Sequence, residues 1–102
     1  PAAVKPFLAQ VLRSVPRDRI EWHLLRLFHD MTGDTDIAIR IDKEQNKDTK
    51  AKMLYYLAQY YLIRGNNSLA DRYFLQVKDM NRRSILEWRL NEWALDKSLQ
   101  KE

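Results

Sequence analysis

The sequence predicts an all-α protein, a solenoid of about six antiparallel helices arranged as hairpins with an unpaired helix at each end. Three observations carry that prediction. Apolar residues recur at i, i+3, i+4 and i+7 along most of the chain, the spacing of one helix face. Two Gly and three Pro in 102 residues leave too few turn signals for a many-stranded sheet. Large residues at Trp22, Leu54 and Trp88 stand 32 and 34 positions apart, close to the period of a stacked helix pair.

The first predicted helix spans Ala3 to Ser14. Val4, Phe7, Leu8, Val11, Leu12 and Val15 follow one face. Pro6 fits a first turn but kinks a helix that starts well before it, and Pro16 ends this one. Asp18 caps the second helix. Glu21, three residues on, can return a hydrogen bond and meets the positive end of the helix dipole. Ile20, Leu24, Leu25, Leu27 and Phe28 supply its apolar surface, and it runs to about Met31, before Thr32-Gly33-Asp34. The third helix spans Thr35 to Gln45, with Ile37, Ala38 and Ile41 on one face and Ile39 off it. Ile37, Ile39 and Ile41 also alternate as in a strand. No second strand-like segment exists to pair with them, which decides for helix.

Asn46 to Thr49 is a polar turn in which Asp48 or Thr49 caps the fourth helix, Thr49 to Arg64. Gly65-Asn66-Asn67 turns the chain, with Gly65 suited to the positive φ that ends a helix. The fifth helix runs from Ser68 to Met80 with Leu69, Ala70, Tyr73, Phe74 and Val77 inward, and Asn81 to Arg83 make the next turn. Ser84-x-x-Glu87 reads as a capping box directly before Trp88. The last helix therefore starts near Ile85 and carries Leu86, Trp88, Leu90, Trp93, Leu95 and Leu99.

The stretch Leu54 to Phe74 organises this plan. Leu54, Leu57, Ala58, Tyr61, Gly65, Ala70 and Phe74 resemble the tetratricopeptide repeat (TPR) pattern of large residue, Leu, small, Tyr, Gly, Ala and Phe. Small side chains at Ala58 and Ala70 let two helices approach closely. Trp22, Leu25, Gly33 and Ala38 repeat the spacing in a first unit. There Arg26, His29 and Asp42 replace the small, Tyr and Phe positions, and in the last helix Asn91 and Glu92 stand where Leu and a small residue are usual. The resemblance implies one domain over 1–102: a half-repeat at 1–16, hairpins at 17–47 and 48–83, and a closing helix at 84–100. The central unit and the charged helix after it also resemble the C-terminal part of bacterial TPR lipoproteins, periplasmic adaptors notably for cell-wall hydrolases. That likeness implies a lipid-anchored parent in the periplasm, with the cytoplasm as the alternative. A chain beginning at Pro1 is read as processed, or as part of something longer.

Composition narrows the chemistry. Without Cys, disulfides and Cys-based metal sites are excluded. The longest nearly apolar run, Met53 to Ile63, is far short of the roughly 20 residues of a membrane span. No Gly-rich phosphate loop, HExxH or GxSxG motif is present. His23 and His29, six apart, lie about 240° around a helix and cannot share one ion. His23 is read as a groove or surface residue and His29 as packing. Asp30, Asp34 and Asp36 fail the calcium-loop spacing and suit turns and caps. The expectation is a non-catalytic chain with no cofactor.

The net charge of +4 is interleaved rather than blocked, which disfavours nucleic acid. The cations that would serve it are Arg64, Arg72, Lys78, Arg82 and Arg83. TPR stacks bind a peptide or protein on the concave face made by the first helix of each hairpin. By position, the resemblance implies a groove of His23, Leu27 and Asp30, then Lys52, Tyr55, Gln59 and Leu62, then Arg89 and Trp93. Lys52 and Arg89 could hold a carboxylate, and Tyr55 and Trp93 are amphipathic anchors. The Lys/Asn/Asn/Lys/Arg clamp of chaperone-binding TPRs is not present. Self-association through the unpaired N-terminal helix is the alternative.

Overall fold

Every regular element among the described residues is an α-helix: α1 Ile20–Asp30, α2 Asp34–Asp42, α3 Lys47–Ile63, α4 Asn67–Met80 and α5 Leu86–Gln100. The computed structural model describes Gln10, Arg13 and residues 20–100. The predicted first helix lies outside them except for Gln10 and Arg13, which are helical and exposed. Pro16 and the Asp18 cap also lie outside, as do the side chains of Ile20, Glu21 and Leu99. The chain forms two compact units, Pro1–Lys43 and Glu44–Glu102. They part in the linker between α2 and α3.

In the first unit α1 packs on α2, and Leu24, Leu27, Ile37 and Ile41 are buried between polar surfaces. The first of these helices ends where the sequence places its end, at about Met31. Met31, not Gly33, takes the left-handed conformation that ends α1, with φ 56° and its N–H on Leu27 O at 2.8 Å. Gly33, with φ 91°, sits instead immediately before α2. Met31, Thr32 and Gly33 are the whole connection between α1 and α2. α2 stops at Asp42 rather than Gln45. Lys43 N–H closes it on Ile39 O, and the Glu44 carboxylate turns to accept from Asn46 N–H at 3.0 Å.

The second unit is a helix hairpin with a third helix laid against it: α3, α4 and α5 each pack on the other two. Asn46, not Asp48 or Thr49, caps α3 through Oδ1, which accepts from Thr49 N–H at 3.0 Å. Asn66 caps α4 in the same way on Leu69 N–H. Between them Gly65, at φ 81°, lets its own N–H reach Leu62 O and Asn66 N–H reach Tyr61 O. This pair of bonds satisfies the last carbonyls of α3 and reverses the chain. Asn81, with φ 57°, ends α4.

α3 is the core of this unit. Ala51, Met53, Leu54, Tyr55, Leu57, Ala58, Tyr60 and Tyr61 are all buried, an arc of about 220° at 100° per residue. An ordinary surface helix buries a narrower stripe. α4 answers with Ala70, Phe74 and Val77, and the Tyr61 and Tyr73 rings stack across the hairpin with centroids 5.6 Å apart. All six residues expected to build the hairpin are buried, and Leu57, Ala58 and Ala70 are 0% exposed. No helix among the described residues is long and apolar enough to cross a membrane.

Leu57→Ala is expected to cost roughly 2–5 kcal/mol in a urea melt, because it opens a cavity with no solvent access. Ala58→Leu should also destabilise, by roughly 1–3 kcal/mol, through overpacking. A neutral Ala58→Leu would contradict the packing described for α3.

Candidate partner-binding surfaces

The structure groups the nine expected partner-binding residues into three sets. In the first unit His23, Leu27 and Asp30 line one cleft of about 320 Å³ with Arg26, Asp36 and Ile37. Leu27 forms its buried floor. Asp30 is engaged locally: it accepts from Arg26 Nε at 3.2 Å and lies 2.7 Å from His29 Nδ1. Those contacts, the His29 hydrogen bond first, hold its carboxyl below the usual carboxylate range against a partial desolvation effect. His29 thus pairs with a carboxylate in addition to packing, and Asp36 likewise pairs with Arg40 at 3.0 Å. Trp22 is half-buried, with His23 edge-on at 5.1 Å and the Arg26 guanidinium 5.7 Å from its ring.

On α3, Lys52, Tyr55, Gln59 and Leu62 lie within an arc of about 80°. Tyr55 is committed to packing. It is buried, its ring meets Phe74 at 6.0 Å, and its Oη accepts from Gln59 Nε2 at 3.0 Å. Lys52 and Gln59 are half-buried and Leu62 is exposed, so of the four only Tyr55 is withdrawn from the surface.

On α5, Arg89 and Trp93 are exposed. The inward face of α5 holds Trp88, whose Nε1–H donates to Lys78 O at 3.3 Å, and Asn91, which is 0% exposed. Asn91 Nδ2 donates to Phe74 O at 2.7 Å, so the residue that departs from the repeat pattern is used as a tie to α4. Asn91 Oδ1 and Glu92 Oε1 are buried without a hydrogen-bond partner. α5 begins at Leu86, one residue later than expected, after a turn closed by Ile85 N–H on Arg82 O. Glu87 Oε2 accepts from Tyr56 Oη at 2.9 Å, joining α5 to α3.

Two features had no signal in the sequence. A second cleft, of about 550 Å³, lies where the start of α3 meets the end of α4, lined by Glu44, Lys47, Lys50, Gln76, Asp79 and Met80 among others. The Tyr56–Glu87 bond joins residues 31 apart, and neither position stands out by spacing. Of the cations expected to serve nucleic acid, Arg82 donates to Asp48 at 2.7 Å. Arg83 donates to Asn81 and lies over the Trp88 ring. Among the described residues no three His, Asp or Glu side chains converge as a metal site.

No family model matches the chain, and neither a curated protein nor a solved structure does.

Tyr56 gives a pH test of the α3–α5 tie. Burial, then the hydrogen bond and charge of Glu87, push its hydroxyl from 10.0 to about 12. The folded value lies above the unfolded one, so the contribution is complete below about pH 10 and is lost as pH rises through about 12. The stability difference between wild type and Tyr56→Phe should hold up to pH 10 and shrink towards 12. A difference unchanged across that window would contradict the bond.

Proposed function

We propose that the chain is a TPR-like helix-hairpin module, a non-catalytic scaffold that binds a peptide or protein partner. The observation that carries this reading is the α3–α4 hairpin. Leu54, Leu57, Ala58, Tyr61, Ala70 and Phe74 are buried in it, and Gly65 turns it with positive φ. A buried hairpin of this kind spends its apolar residues on packing and leaves one face of its first helix to meet a ligand. Lys52, Gln59 and Leu62 on α3, with Arg89 and Trp93 on α5, are the binding residues of this reading. His23 and Asp30 line a separate cleft within the first unit.

The cations Lys52 and Arg89 suit a carboxylate-bearing ligand, Arg89 with two-pronged geometry. Trp93 adds an exposed aromatic anchor of the type enriched at binding hot spots. The Lys52→Glu, Arg89→Glu double variant should weaken binding of the native partner, recovered by pull-down with the wild-type protein, by at least tenfold while the thermal melt stays unchanged. Unaltered binding by this variant would count against the surface.

A further inference from the structure

The outward face of α5 carries a line of exposed apolar residues. Leu86 is 58% exposed, Leu90 39% and Trp93 60%, at i, i+4 and i+7 on one side. The buried Trp88 and Asn91 occupy the opposite side. Lys97 continues the stripe, with its ammonium 4.3 Å from the Trp93 ring centroid. From Leu86 to Lys97 the stripe is about 16 Å long. A line of exposed apolar side chains edged by polar groups is the kind of surface a docking face presents.

Two occupants would fit the shape, and charge decides between them. A second copy of the chain pairs poorly. In antiparallel twofold pairing about residue c, residue i faces residue 2c − i. Centring on Trp93 sets Arg89 of one copy against Lys97 of the other. Both chains also carry +4, so this approach opposes like charges. The flanking exposed charges are Arg89 and Lys97 against Asp96 alone, which favours an acidic ligand. A helix ridge offers no strand edge for an extended peptide, so a helix laid along it is the matching form.

We propose that the Leu86–Leu90–Trp93 stripe docks an acidic amphipathic helix of two to three turns, with its apolar face on the stripe and its carboxylates on Arg89 and Lys97. The assignment rests on the interaction reading above but not on the α3 face, and the variants separate the two.

The test uses three labelled synthetic 16-residue helical peptides with this chain, followed by fluorescence anisotropy: one with a Leu stripe flanked by Glu, one flanked by Lys, and a scrambled Glu peptide. The Glu-flanked peptide should bind at least tenfold more tightly than the other two. Leu90→Gln and Lys97→Glu, both at exposed positions, should each weaken it tenfold or more, and Arg72→Glu, exposed on α4, should leave it unchanged. Equal binding of the Glu- and Lys-flanked peptides, or no binding of the Glu-flanked peptide, overturns the proposal. Loss of binding with Lys52→Glu but not with Leu90→Gln overturns the stripe and keeps the α3 face. A dimer in light scattering that Leu90→Gln converts to monomer assigns the face to a second copy and overturns it too.

Discussion

The second unit depends on how closely α3 and α4 can approach. Ala58 on one helix and Ala70 on the other are 0% exposed, and a larger side chain at either would hold the backbones apart. The approach brings Leu54, Leu57, Tyr61 and Phe74 out of water and sets Tyr61 on Tyr73. Burial of a leucine or phenylalanine side chain contributes roughly 1.5–3 kcal/mol each, so this contact outweighs any single polar tie in the unit. The Gly65 turn makes the approach possible without strain, because glycine tolerates φ 81° where a Cβ would cost about 1–2 kcal/mol.

Polar groups fix how α5 meets this hairpin. Trp88 and Asn91 each donate to a main-chain carbonyl of α4, while Glu87 takes the Tyr56 hydroxyl of α3. Arg82 ties the turn before α5 to Asp48 near the start of α3. Hydrogen bonds of this kind contribute about 1 kcal/mol each, less than the apolar contacts, but they are directional. They select one rotation of α5, and that rotation leaves Leu86, Leu90 and Trp93 outward. The orphaned Oδ1 of Asn91 and Oε1 of Glu92 are a cost of the same arrangement.

Much of this was legible in the sequence. Helical periodicity located the helices to within a few residues at their ends, and the small–large pattern of residues 54–74 identified the hairpin. What escaped had physical reasons. Tyr60 is buried because α3 is covered well beyond one stripe, and a single-stripe template misses such a residue. Gly33 matches Gly65 in spacing, yet it stands immediately before α2, and Met31 takes the left-handed turn that ends α1. Asn91 looked like a packing defect until its partner, a main-chain carbonyl 17 residues away, was in place. The candidate surface was legible only in part. Periodicity named Leu90 and Trp93 as apolar, but only the packing of Trp88 and Asn91 shows which way they face. Tyr55 reads as an amphipathic anchor in sequence, and its burial against Phe74 comes from a contact that spacing alone does not reveal.

The central claim is that α3 is the structural core of residues 44–100. Native-state hydrogen exchange tests it most directly. Amides of Leu57, Ala58, Tyr60 and Tyr61 should exchange only through global unfolding of this unit, with a free energy equal to that from denaturant melts. Exchange at these amides by local opening, with a lower free energy than the amides of α4 and α5, would contradict the account.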